Sequence, residues 1–423
     1  MWTNAQNSTI GQIAFFAVIF AVNTSQALAQ DWTQWLGPNR DGRIPAQSVP
    51  GTLSEKPDLI WETTVGGGYS SPLIFDDQVF VHTRIDEQEV VACLDLKTGK
   101  QIWRKTNAAP MQRNQYAVKH GKGPFATPAI HSGKLFTVGV TGVLTCFDIK
   151  NGNVLWRKVY KESGLNTEKF FCGNTVSPLI YKNMCITFIG DDDAGALTAY
   201  DVETGEEVWS WKEDNPGYAS PILVTSGGVA QIVTLSQNGV IGVSAENGKL
   251  LWQIPFVSEW KENIPSPVFF DDMIIYSGVG RGTMSVKLEK SNGGWKTTEL
   301  WQNKEISMYM NSPVLHEAKL FGLSQKRRGQ FFSLDAKTGK TFWTNEGREG
   351  ANASLFLGGD SFYSLTTEGV LKIFEATSEA FRLRGELSLA ETSTWATPAF
   401  VENHILIKAG ENLRLFAAPR KTQ

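Results

Sequence analysis

Three groups of residues in this chain are of types that bind or transform a ligand. The first is cationic: Lys105, Arg113, Lys119, His120 and Lys122 fall between Lys105 and Gly123, and Lys326, Arg327 and Arg328 lie within Gln325–Gln330. Arginine presents a planar fork of donors to carboxylate or phosphate. The two stretches together read as a basic pocket for an anionic ligand, or as solvated loops with counter-charges nearby. The second group is aromatic and amide. Tyr69, Phe125, Tyr218 and Trp395 each stand three residues before a proline, as do Thr175, Ile264 and Met310; Asn352 holds the same place before Leu355. Rings at such positions stack on a flat ligand if they surround an opening, or plug it. Asn311, Asn174 and Asn263 lie beside them as hydrogen-bond donors. The third group is the run Asp191-Asp192-Asp193, which lacks the spaced carboxylates and terminal Glu of a calcium loop and reads as a polar hairpin tip. The five histidines have no metal-ligand spacing, and there is no nucleophile elbow, phosphate loop or His-Glu-x-x-His.

These groups share a register because the chain repeats. Ser/Thr-Pro followed by apolar residues recurs at Ser71-Pro72, Thr127-Pro128, Ser177-Pro178, Ser220-Pro221, Ser266-Pro267, Ser312-Pro313 and Thr397-Pro398, with a degenerate copy at Ser354-Leu355. The spacing averages about 47 residues, the length of a propeller blade. Each unit carries an apolar opening such as residues 71–75, then a second stretch such as Val79–Val81. An alternating third ends in Asp, as in residues 90–96 and 143–149. A turn with glycine at one fixed place follows, as in Lys97-Thr98-Gly99-Lys100, and a short strand reaches Trp103, Trp156, Trp209, Trp252, Trp301 or Trp343. Glycine there meets the demand of a turn position with φ > 0. The pattern predicts an all-β chain: an eight-bladed β-propeller of four-stranded antiparallel blades whose tryptophans pack between sheets. The eighth unit ends without a Trp strand, and Leu59-Ile60-Trp61-Glu62 stands alone at the other end, so an N-terminal strand should close the ring. Cys93 and Cys146 occupy the place that Ala199 and Ser333 hold in other units, which fits a small buried side chain; Cys172 and Cys185 show no pairing signal.

The pattern Asp-x-x-Thr-Gly-Lys/Glu-x-x-Trp (Asp95–Trp103, Asp201–Trp209, Asp335–Trp343) resembles the pyrroloquinoline quinone (PQQ)-like β-propeller repeat family over about residues 57–417. The opening Asp31–Gly42 is similar to that of secreted members from planctomycete-type bacteria. The resemblance implies the propeller, and it covers both quinone-dependent dehydrogenases and non-enzymatic scaffolds. For a dehydrogenase it implies PQQ held between a Trp and a disulfide of adjacent cysteines, with calcium on carboxylate and amide side chains. This chain has no adjacent cysteines.

Composition narrows the class further. The 43 acidic and 40 basic residues leave a net charge of −3, which argues against nucleic acid as a partner, and 4 cysteines in 423 residues are too few for a disulfide scaffold. Residues Ile13–Val22 form an apolar run of 10 followed by Ala27-Leu28-Ala29, the shape of a signal peptide cleaved before Gln30. Met1–Gln12 has no Lys or Arg, which leaves an uncleaved anchor as the alternative. The expected organisation is a signal peptide over 1–29, an N-terminal arm over 30–56, the propeller over 57–417 and a tail over 418–423, with no transmembrane span in the mature chain. The reading is an exported, periplasmic or secreted, non-catalytic propeller of the envelope scaffold type. It would bind an envelope protein or a small anionic or planar ligand on its loop-rich face through Tyr69, Phe125, Tyr218, Asn311, Arg327, Arg328, Asn352 and Trp395. The alternatives are a PQQ- and calcium-dependent dehydrogenase of alcohols or sugars, for which no base can be named, and a carbohydrate-binding propeller.

Overall fold

The computed structural model describes residues 1, 31–50, 57–160 and 170–418. The expected signal peptide, Met1 apart, and the tail beyond residue 418 lie outside the described residues. Eight four-stranded antiparallel sheets form, each in the simple order first, second, third, fourth. Blade 1 comprises Leu73–Phe75, Gln78–Ile85, Gln88–Asp95 and Gln101–Ala108, and blades 2 to 7 follow in sequence up to Leu383–Ser388. Blade 8 takes Ala399–Val401, His404–Ala409 and Asn412–Ala417 from one end of the chain and Asp58–Thr64 from the other, with Trp61 opposite Leu415. The ring closes where the sequence left a strand over. Second and third strands are buried on both faces, as in Met184–Gly190, so they read as unbroken apolar runs. Fourth strands alternate, leaving Ile102, Leu155 and Phe342 exposed at the rim.

The recurring tryptophans do more than fill space. All seven from Trp61 to Trp343 are buried, and six send the indole N–H into the next blade. Trp61 donates to Leu96 O (2.8 Å), Trp103 to Ile149 O, Trp156 to Val202 O, Trp209 to Ala245 O, Trp301 to Ala336 O and Trp343 to Thr377 O. Five of these acceptors open a glycine turn. Gly99, Gly152, Gly205, Gly248 and Gly339 have φ between +67° and +71°, and a Cβ on any of them would sit 2.3–2.6 Å from the indole of the preceding blade. The turn is pinned by its Asp: Asp95 Oδ1 accepts from Thr98 N (2.8 Å) and Thr98 Oγ1 (2.6 Å). On the opposite side, the residue paired with each of these tryptophans is small, except at Trp61, which pairs with Leu415. Cys93 faces Trp103, Cys146 faces Trp156, Ala199 faces Trp209, Gly242 faces Trp252 and Ser333 faces Trp343.

The Ser/Thr before each proline links blades at the axis. Thr127 Oγ1 accepts from Ser71 N, Ser177 Oγ from Thr127 N, Ser220 Oγ from Ser177 N and Ser312 Oγ from Ser266 N, while Ser71 Oγ accepts from Thr397 N across the closure. The N-terminal arm lies inside this girdle. Trp32 pairs its backbone with Ile74 of blade 1, Ile130 N of blade 2 donates to Thr33 O, and Leu357 of blade 7 exchanges bonds with Gly42 and Ile44. Arg40, 8% exposed, crosses to blades 3 and 4, donating to Ser177 O (2.8 Å), Pro178 O (2.9 Å) and Pro221 O (2.9 Å). Burial pulls its pKa down to about 9, so it stays charged at neutral pH.

Deletion of residues 57–63 is expected to lower the melting temperature by about 10 °C or more, since it opens the ring and bares Leu413 and Leu415; unchanged melting would refute closure there. Trp103→Ala should cost about 3–5 kcal/mol in urea unfolding. Gly152→Ala should cost at least about 1 kcal/mol less when Trp103 is already Ala, because only the φ penalty then remains; additive costs would show that the two do not touch. Arg40→Met, which strands three carbonyls, should cost about 3 kcal/mol; a stability loss under about 0.5 kcal/mol would show the arm to be dispensable.

Candidate functional site

Connections from fourth to first strands and second-to-third hairpins share one face, and there the residues before the prolines converge. Tyr69, Phe125, Tyr218, Asn311, Asn352 and Trp395 all line one axial cavity of about 190 Å³, with Thr175, Ile264 and Met310. The rings form a near-continuous wall. Tyr69 stacks on Trp395 (5.7 Å between centroids, 23° between planes) and tilts against Phe125 at 5.7 Å, while Tyr218 stacks on Phe170 at 5.1 Å. The floor is the arm, through Trp35 and Leu36. The opening is thus a cup, closed below and open to the loop face. Neither the arm's floor nor Phe171 carries a repeat signal, and His120, grouped by sequence with the cations of its loop, belongs here to the aromatic wall beside Cys172.

No Asp, Glu, Lys or Arg lines the cup among the described residues. His120 ends a short 3-10 helix, Gln115–His120, with its ring edge-on to Trp395 (5.2 Å) and Phe171 (5.8 Å). Burial, reinforced by Lys119, lowers its pKa to about 4. Burial also pushes the Cys172 thiol up to about 12 and raises both Tyr69 and Tyr218. Every titratable group here is therefore neutral at pH 7. Two buried polar atoms of the lining, His120 Nε2 and Asn352 Oδ1, have no partner among the described residues. Asn311, by contrast, is spent on the scaffold: its side chain donates to Leu323 O (2.7 Å) and accepts from Leu323 N (3.1 Å). Asn174 binds Val140 O and Gly190 N, and Asn263 binds three carbonyls and Ser258 N.

The cationic groups do not assemble as one pocket. Arg327 and Arg328 lie exposed in the second-to-third hairpin of blade 6, with φ of +50° and +63°. Arg328 borders a separate cleft of about 310 Å³ shared with Arg348, Lys372 and the carboxylates Glu349, Glu368 and Glu386. Lys326 pairs with Glu305 and Lys122 with Glu87. Lys105 belongs to the fourth strand of blade 1, where it donates to Asn153 Oδ1 (3.1 Å). Of the two readings the structure favours solvated loops, because the backbone places these cations over different blades, where Lys122 and Lys326 meet carboxylates of their own. Asp191 does sit at a hairpin tip, its Oδ1 accepting from Asp193 N and Ala194 N at 3.0 Å.

The cup does not fit the PQQ and calcium that the resemblance brings. Of its two tryptophans, Trp395 is stacked on Tyr69 and Trp35 belongs to the arm below, and its one cysteine, Cys172, is free. It offers no carboxylate for calcium and no cation for the carboxylates of a quinone.

Comparison with known proteins places the architecture. A family model described as outer membrane protein assembly factor BamB matches residues 52–113 and 86–345. The outer membrane protein assembly factor BamB of Shewanella oneidensis is 21% identical over 320 residues, a match that covers 74% of this chain and 64% of that relative's length. The crystal structure of BamB from Moraxella catarrhalis superposes with a TM-score of 0.60 at 12% identity, covering 86% of this chain and 99% of that one. Quinohemoprotein alcohol dehydrogenase from Comamonas testosteroni gives 0.63 at 14% identity, covering 93% and 81%. At those identities the two structures share the fold alone. The family match runs over more than half of the sequence, and the chain belongs to the PQQ-like β-propeller repeat family of the outer membrane protein assembly factor BamB.

Proposed function

We propose that this chain is an exported, non-catalytic propeller that binds a protein or small-molecule ligand on its loop-rich face, as an envelope scaffold does. The observation that carries the reading is the axial cup. Its rings are held by stacked and tilted contacts, its floor is closed by the arm, and His120 Nε2 and Asn352 Oδ1 are left with hydrogen bonds to make. A buried polar atom without a partner costs about 1–3 kcal/mol, which a ligand would recover. Binding is favoured over proton transfer because a useful general base titrates near the working pH, whereas His120 does so at about 4. Kinship with outer membrane assembly factors supports an envelope role, and the apolar run near the N-terminus supports export. Among the described residues no helix is long and apolar enough to cross a membrane. The ligand-binding set is Tyr69, Phe125, Tyr218, Asn352 and Trp395, with Asn311 supporting the wall. Arg327 and Arg328 would serve a partner broad enough to reach blade 6.

The competing dehydrogenase reading is separated by adding PQQ and calcium to the purified protein while following tryptophan emission and dye reduction with alcohols and aldoses. No turnover is expected; turnover would overturn the scaffold. Capture from envelope extract should yield a protein whose retention falls about tenfold for Trp395→Ala, the loss of one aromatic anchor. Equal retention by Trp395→Ala would remove the cup from the reading.

A further inference from the structure

Beside the axial cup, and sharing only its Phe171 and Tyr218, lies a wider groove of about 600 Å³. That volume is ordinary for a small-molecule site. Its walls come mainly from the short helix after blade 1, the second-to-third hairpins of blades 3 and 4 and the connection from blade 4 to blade 5, with Phe171, Tyr218 and Tyr309 added from three further connections. Of its aromatic residues only Tyr218 stands at a repeat position; Tyr116, Phe171, Trp260 and Tyr309 do not.

Two large rings on it face water. Tyr116 is 76% exposed and Trp260 is 66% exposed, in a protein whose other tryptophans, among the described residues, are half-buried or buried. Trp260 is held out at some cost. It and Lys261 have φ of +63° and +60°, a left-handed conformation that disfavours side chains with a Cβ. Buried Asn263 braces that loop, accepting from Ser258 N and donating to Ser236 O, Gln237 O and Phe256 O. Tyr309 backs the Trp260 ring edge-on at 6.3 Å and donates its hydroxyl to Glu262.

Between the rings the groove is polar and electrically balanced. Lys119 and Lys261 supply two positive charges, and neither has an ion-pair partner among the described residues. Asp192 and Glu262 supply two carboxyls, both shifted upward by burial. Gln237 donates to Asp192 Oδ1 at 3.0 Å and orients it. Balanced charge selects against a strongly ionic ligand, and the density of donors and acceptors selects against an apolar one. What remains is a molecule with hydroxyl-rich edges and apolar ring faces.

We propose that this groove binds a short, uncharged oligosaccharide, whose pyranose faces lie on Tyr116 and Trp260 and whose hydroxyls bond to Asp192, Gln237, Glu262 and Lys261. The site stands apart from the axial cup, so either can fail without the other.

Cellotriose, maltotriose and triacetylchitotriose, titrated calorimetrically to about 10 mM, are the probes, and at least one should bind with a Kd of about 0.1–1 mM. Trp260→Gly suits the left-handed backbone, so it removes the ring while the melting temperature holds. It and Tyr116→Ala should each weaken binding about tenfold, the worth of one aromatic contact. Leu155→Ser on the outer strand of blade 2 should bind as the parent does. Absence of binding by all three sugars would overturn the inference, as would full affinity in both ring variants. Affinity lost on Trp395→Ala but kept in Trp260→Gly would put the sugar in the cup, overturning this site while leaving the cup's role intact.

Discussion

The ring depends on a side chain of one blade and an absence of side chain in the next. An indole buries more area than any other residue, but its N–H must find an acceptor when it leaves water. The acceptor is a carbonyl at the mouth of the neighbouring turn, and it is reachable only because the turn glycine has no Cβ. The glycine therefore answers two demands, a left-handed φ and room for a ring. Neither residue explains its spacing alone. Together they convert eight thin sheets, none with a core of its own, into a closed stack.

Three junctions depart from the rule, one of them only in lacking the glycine, where Trp343 donates to Thr377 O of blade 7. Trp252 turns its N–H to Gln231 of its own blade. There blade 5 reaches back instead, through the long hairpin Gly282–Ser291 and Gly294–Asn303, laying Trp295 and Lys290 against Gly227 of blade 4. Blade 7 has Gly385 where the others have tryptophan. Nearer the axis, on the first strands of the same two blades, the arm adds a ring: Trp32, fully buried, packs between Phe356 of blade 7 at 5.4 Å and Phe400 of blade 8 at 5.5 Å. The degenerate repeat at Ser354-Leu355 and the missing Trp fall in one blade.

Periodicity explains what was legible. Blade number, ring closure, the small buried residue at the place of Cys93, Cys146, Ala199 and Ser333, and the convergence of Tyr69, Phe125, Tyr218 and Trp395 all follow from register, which a repeat preserves. What register does not encode was missed. Arg40 finds its carbonyls 137 to 181 residues away, and no local pattern announces such partners. Asn311 stands beside the ring register, next to Met310, yet spends its amide on Leu323, because register fixes where a residue stands and not which bonds it makes. Arg327 and Arg328 stand away from the cup because each loop follows its own blade, which a grouping by charge does not see. Tyr116 and Trp260 sit in connections of irregular length; the available signal was a tryptophan in a charged stretch, Ser258–Glu262, outside any blade-ending strand.

The arm answers a problem that the propeller creates for itself. Every first strand is an edge strand, and all eight edges point at one narrow axis. Unpaired backbone groups there would be costly if left dry and would recruit other strands if left open. Three devices deal with them. Proline removes an N–H, the preceding hydroxyl bridges to the next blade, and the arm bonds to the edges of blades 1, 2 and 7 while Arg40 gathers three of the remaining carbonyls. A charged side chain suits that task because it carries five donors and can meet several carbonyls at once. Once the axis is sealed from below in this way, the cavity that remains can communicate only with the loop face. The geometry that stabilises the channel thereby decides from which side a ligand must come.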